Sequence, residues 1–153
     1  MTKIIKKEEI PYPFLEKPLK LFTFENGFKV VFAYKDSPMI NISSWVKTGS
    51  INENNENNGV SHFVEHLLFK GTTKFPAGVF DKTMERLGGI INAATWKDYT
   101  FFYINIPKEH SKIALEIQTL SIGSVPEPSS SNRTREFLSQ LSKISDMFLI
   151  WAE

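Results

Sequence analysis

Apolar residues recur along this chain at two periods, and the switches between them set out its elements. Leu21-Phe22-Thr23-Phe24 and Phe28-Lys29-Val30-Val31-Phe32-Ala33-Tyr34 are β-rich runs about Glu25-Asn26-Gly27, whose Asn-Gly pair accepts positive φ; the pattern predicts a hairpin. Over residues 39–47, Ile40, Ile42, Ser44 and Val46 alternate with Asn41, Ser43 and Trp45, which predicts a third, two-faced strand ending at Thr48-Gly49. Residues 50–58 are polar and Asn-rich and read as a solvated loop. The period then lengthens. Val60, Phe63, Val64, Leu67, Leu68 and Phe69 predict a helix that is apolar over most of its circumference and belongs inside the domain. Val79, Phe80, Met84 and Leu87 continue at helical spacing into a second helix, which Gly88-Gly89 closes. Residues 90–96 and 99–106 read as another antiparallel pair about Lys97-Asp98, and Pro107 starts a third helix bearing Ile113, Ala114, Ile117 and Leu120.

The order ββ-β-α-α-ββ-α, with tight hairpins, predicts an α+β domain: a largely antiparallel sheet with helices packed on one face, rather than a doubly wound parallel sheet. Residues 1–19 are charged and carry Pro11, Pro13 and Pro18, so an extended surface arm is expected there. The domain core is expected over residues 20–120. Residues 121–153 form a divergent Ser- and Pro-rich loop and a tail that is helix-compatible as far as Asp146. The run Met147-Phe148-Leu149-Ile150-Trp151-Ala152 is costly to leave in water, and it is expected to pack on something outside this chain rather than on the domain.

Composition narrows the chemistry. The 153 residues, 41% apolar and 23% charged, suffice for one soluble domain with a real core. Eighteen Lys and Arg against seventeen Asp and Glu leave a formal charge of +1, so neither nucleic acid nor an anionic membrane is an expected partner. The absence of cysteine removes disulfides, Cys-ligated zinc, iron-sulfur clusters and thiol catalysis, so any metal falls to His and carboxylates. The first residues lack the apolar core of a signal peptide, and no apolar run nears membrane-spanning length; a cytoplasmic protein is expected.

Two of the three histidines lie in His62-Phe63-Val64-Glu65-His66. At about 100° per residue His62 and His66 stack one helical turn apart, while Glu65 lies roughly 60° to the other side of His62, so the three side chains can converge. Imidazoles at this spacing suit a tetrahedral zinc ion, with a non-ligating carboxylate beside it to hold water. The competing reading is a hydrogen-bonded pair of core histidines. Burying two imidazoles and a carboxylate unsatisfied would cost roughly 1 to 3 kcal/mol each, which a metal relieves. His110, within Lys108-Glu109-His110-Ser111-Lys112 at a helix start, reads as a surface residue.

Gly59-Val60-Ser61-His62-Phe63-Val64-Glu65-His66-Leu67-Leu68-Phe69-Lys70-Gly71-Thr72, with Leu87-Gly88-Gly89-Ile90-Ile91-Asn92-Ala93-Ala94-Thr95 and then Asp98-Tyr99-Thr100 and Tyr103, resembles the insulinase and pitrilysin type of inverted-motif zinc peptidases, together with mitochondrial processing peptidase. The resemblance covers about residues 20–118. It implies that His62 and His66 bind one zinc ion, that Glu65 activates water, and that a peptide or small protein is the substrate. It further implies that the substrate adds as a strand at Ile91-Asn92-Ala93-Ala94, with Asn92 and Ala93 as binding residues whose small neighbours allow close backbone approach. A second peptidase half or subunit is the implied partner. The third zinc ligand of such enzymes is a Glu roughly 75 residues after the second His. Here that window, Gln140 to Lys143, holds no carboxylate, and Glu136 and Glu153 fit the spacing poorly; zinc is expected to bind weakly or not at all. Resemblance ends near Ile117, as expected of a truncated or altered reading of a longer peptidase. Two readings stay open: the N-terminal domain of a zinc-dependent metalloendopeptidase, or a catalytically impaired or non-catalytic domain of the same fold that binds peptides or a partner subunit.

Overall fold

The computed structural model describes residues 3–69, 76, 78–123 and 147–152. Its elements are β1 (Ile4–Ile10), β2 (Leu19–Phe24), β3 (Lys29–Ala33), β4 (Met39–Val46), α1 (Val60–Leu68), α2 (Val79–Arg86), β5 (Ile90–Thr95), β6 (Thr100–Pro107), α3 (Ser111–Gly123) and β7 (Met147–Ala152). The strands form one sheet in the order β1-β2-β3-β7-β4-β6-β5. All pairings are antiparallel except β3 with β7.

The alternation in β4 and β6 builds the core. Antiparallel register sets Ile40 opposite Ile106 and Ile42 opposite Ile104 on one face. There they join Phe80 and Met84 of α2 and Ala114 and Ile117 of α3 in a buried cluster. Each large apolar side chain removed from water in this way contributes about 1.5 to 3 kcal/mol. All three helices lie on this face, so the α+β architecture with a one-sided helical layer is the observed one. On the opposite face Asn41 Nδ2 donates to Asn105 Oδ1 (2.7 Å), and Trp45 stacks on Phe101 at 4.7 Å between ring centroids.

Local signals fixed the turns. Gly27 has φ +84° at the β2–β3 hairpin and donates its N–H to the Phe24 carbonyl. At the end of α2, Gly88 (φ +70°) donates to Glu85 and Gly89 to Met84, which satisfies two terminal carbonyls of the helix.

Two parts of the chain differ from expectation. The apolar run at residues 147–152, expected to seek a surface outside the chain, is β7, an interior strand of this sheet. Strands β3 and β4 do not pair with each other; β7 lies between them and supplies hydrogen bonds to both. The arm expected at residues 1–19 contains β1, an edge strand paired with β2. Its Lys6–Glu8 ion pair (2.9 Å) illustrates how charge and edge pairing coexist: one side of an edge strand stays open to water. The helix-compatible reading up to Asp146 lies outside the described residues.

Candidate functional site

Chain geometry after β4 places α1. Gly49 has extended backbone (φ −167°), and a Cβ there would lie 2.1 Å from the Trp96 carbonyl oxygen, so only glycine fits. This close approach lets Ser50 N–H donate to the Trp96 carbonyl (3.2 Å) and Ile51 N–H to that of Lys97 (2.7 Å). The turn is thereby pinned to the β5–β6 connection. Two residues later Glu53 reaches across the Asn-rich loop, its Oε2 accepting the Gly59 N–H (2.7 Å) and its Oε1 the Ser61 N–H (2.8 Å). The helix N-cap is Gly59 (φ +85°), which has no side chain to satisfy these donors, so a remote acid does so. Partial burial pushes the Glu53 carboxyl up, but donors at Ser61 and Gly59 together outweigh it and hold the group below its ordinary value. Sequence reasoning read this stretch only as solvated loop. Glu53 lies six residues before the cap, outside the spacing of a capping box.

The expectation that α1 is buried around most of its circumference is corrected. Ser61, Val64 and Glu65 are buried, whereas His62, His66 and Phe63 are exposed. The reason is positional: α1 packs on β5, the last strand of the sheet, so only one stripe of the helix is covered. Exposed imidazoles carry no burial penalty for a metal to relieve. What remains is geometry. His62 Nε2 and His66 Nε2 lie 3.1 Å apart, with ring centroids at 4.6 Å. Two nitrogens bound to a tetrahedral zinc at about 2.0 to 2.1 Å would be separated by about 3.3 Å, so the pair as folded fits two such ligand positions.

Glu65 does not join them. Its Oε2 accepts the hydroxyl of Thr95 at 2.6 Å, and the residue is 8% exposed. Among the described residues no three His, Asp or Glu side chains form a group that could hold a metal. The window for a third ligand, Gln140 to Lys143, lies outside the described residues, as do Glu136 and Glu153. His110 stands in the 3₁₀ turn Lys108–His110 before α3 and takes no part.

The strand beneath α1 carries the other candidates. Along β5, Ala93 pairs with Phe102 on the helical face and Asn92 with Tyr103 on the opposite one. Exposed Asn92 turns its Oδ1 onto the Ala93 N–H (2.8 Å), covering an amide that the β6 ladder does not use. Thr95, two residues along on the same face as Ala93, is the residue that holds Glu65. Sequence reasoning missed Thr95.

A family model described as insulinase (peptidase family M16) matches residues 29–126. The chain belongs to this family. The match contains α1 and β5 with all five candidate residues, and it ends before the window for a third ligand. The chain is 38% identical over 102 residues to an uncharacterized zinc protease of Bacillus subtilis, covering 65% of this chain and 24% of that protein. It is 35% identical over 99 residues to the mitochondrial-processing peptidase subunit beta of Dictyostelium discoideum, covering 64% and 21%. In solved structures the fold matches a protease from Helicobacter pylori with a TM-score of 0.78 at 20% identity, over 99% of this chain and 47% of that one. Insulinase-family membership and the fold follow from these matches; the region shared with each of the two sequence relatives is less than a quarter of that relative's length.

Proposed function

We propose that this chain is a half-domain of an insulinase-family zinc metalloendopeptidase, in which His62 and His66 hold the metal, Glu65 moves the proton and β5 receives the substrate as an added strand. The observation that carries this reading is the 3.1 Å approach of two imidazole Nε2 atoms on a helix whose buried Glu65 is tethered to the edge strand.

Zinc held there would act as a Lewis acid toward water and the scissile carbonyl. With Oε2 engaged by Thr95, Glu65 keeps Oε1 to accept a proton from the attacking water and to deliver it to the leaving amine. An arriving peptide displaces Asn92 Oδ1 from the Ala93 N–H, which then donates to a substrate carbonyl, and backbone hydrogen bonds continue along the edge. A second peptidase half or subunit closes over the bound peptide.

The test is elemental analysis combined with cleavage of an unstructured peptide. Glu65→Gln should retain the zinc content of the parent chain and lose turnover by about 10²- to 10⁴-fold, the usual contribution of a general base. Undiminished turnover in that variant would defeat the mechanism. A second reading, a non-catalytic peptide- or partner-binding domain, is favoured by the lack of a carboxylate from Gln140 to Lys143. A chain that takes up no zinc yet binds peptide would establish it instead.

A further inference from the structure

Glu65 is adjacent in sequence to His66 and shares its helix, and carboxylates ligate zinc as readily as imidazoles do. Only two donors stand together among the described residues, so a metal there has room for a third. Nothing covalent prevents Glu65 from becoming that ligand and ceasing to serve as a base. The feature that decides between the two roles lies on the strand.

We propose that Thr95 is the positioning residue that keeps Glu65 out of the metal's coordination shell and ties it to the peptide-accepting strand; this rests on the functional reading above. The Thr95 Oγ1 to Glu65 Oε2 distance of 2.6 Å is that of a hydroxyl donating to a charged carboxylate, roughly twice as strong as a neutral hydrogen bond. The donor is itself immobilised. Thr95 pairs with Thr100 at the end of the β5–β6 hairpin, and the Trp96 and Lys97 carbonyls that follow are held by Ser50 and Ile51. From there Glu53 grips the first turn of α1, and α1 returns to Thr95 through Glu65. The contacts form a closed ring that fixes helix and strand together, and Thr95 is the link through which the strand sets the direction of the carboxylate. Removing its hydroxyl takes from buried Glu65 its one donor among the described residues, and the charge then regains a partner by turning toward the metal.

The experiment is metal binding by the full chain, using Zn²⁺ in calorimetric titration and Co²⁺ for the visible ligand-field spectrum. Thr95→Val keeps the shape of the side chain without the donor, and Thr95→Ala removes the donor without adding an atom; both are measured, so misfolding of one does not decide the matter. Each should bind zinc about tenfold more tightly than the parent, within the range by which outer-shell partners shift metal affinity. Each should also shift the cobalt spectrum as a carboxylate enters. Thr95→Ser should reproduce the parent, and adding Glu65→Gln to either variant should abolish both the gain and the shift. Parent-like affinity and spectrum in the donorless variants, or a gain that survives Glu65→Gln, would overturn the inference while leaving the functional reading in place. Failure of the parent chain to bind either metal would overturn both.

Discussion

Helices α1 and α2 both lie over β5, yet they treat their side chains in opposite ways. Helix α2 buries Phe80 and Met84, each 1% exposed, in the common core and ends on a glycine cap. Helix α1 buries a serine and a glutamate, Ser61 and Glu65, alongside Val64, and leaves Phe63 in water at 53% exposure beside two imidazoles. One helix obeys the partition between apolar and polar groups and the other inverts it. Such inversion costs stability and is tolerated where a site needs it, so the contrast separates the helix that supports the fold from the helix that bears the proposed metal pair.

The contrast is most exposed to failure at Phe80. Replacing it by alanine empties the centre of the cluster formed with Ile40, Ile42, Ile104 and Ile106, and should lower unfolding free energy by about 3 to 5 kcal/mol. The shift of the urea midpoint at constant slope reads it. A loss under about 1 kcal/mol would mean that α2 does not anchor the layer, and α1 would then no longer stand apart from it.

What could be read in advance follows this division. The β2–β3 hairpin, the two-faced β4 and the α2 cap are written in neighbouring residues: an Asn-Gly pair, a period of two, a Gly-Gly stop. Strand β7 was not legible, because its neighbours lie more than a hundred positions away, with Val31 opposite Ile150 and Asn41 opposite Ala152. Strand β1 was obscured by the charges of Lys6, Lys7, Glu8 and Glu9, which suit an edge and therefore resemble a loop. At the candidate site, the pairing of His62 with His66 was visible because one helical turn joins them. Thr95 was not, since it meets Glu65 across thirty residues. Counting apolar residues on α1 misjudged its burial because the count contains no information about how much sheet lies beneath.

A smaller effect sharpens the comparison at the two helix entrances. Glu53 grips the first turn of α1 through the N–H groups of Gly59 and Ser61, whereas among the described residues no side-chain hydrogen bond caps the start of α2 at Gly78. Glu53→Gln should cost about 1 kcal/mol or less at neutral pH, as for a charged N-terminal contact that is partly in water. The pH dependence has a definite sign. Because the folded carboxyl lies below its ordinary value of 4.5, its contribution is complete above that value and is lost as pH falls through the lower, folded one. The melting temperature of the parent should therefore fall more steeply than that of Glu53→Gln on acidification below 4.5. Parallel profiles for the two proteins would remove Glu53 from the account of how α1 is held.

The smallest expected change is at Phe63, and it tests the inversion most directly. Phe63 and Phe80 are the same residue type near the start of two helices over the same strand, the fourth position of α1 and the second of α2. If burial rather than residue type sets the energetic role, Phe63→Ser should shift unfolding free energy by no more than about 0.5 kcal/mol, an order of magnitude less than Phe80→Ala. Its imidazole neighbours should be undisturbed, because the 3.1 Å approach of His62 to His66 is set by the helical turn and not by the ring between them. Zinc uptake equal to that of the parent, together with an unchanged urea midpoint, is the expected result. A loss of several kcal/mol would show Phe63 to be a packing residue, place α1 among the helices that build the core, and remove the ground for treating its exposed face as the place where the metal and substrate meet.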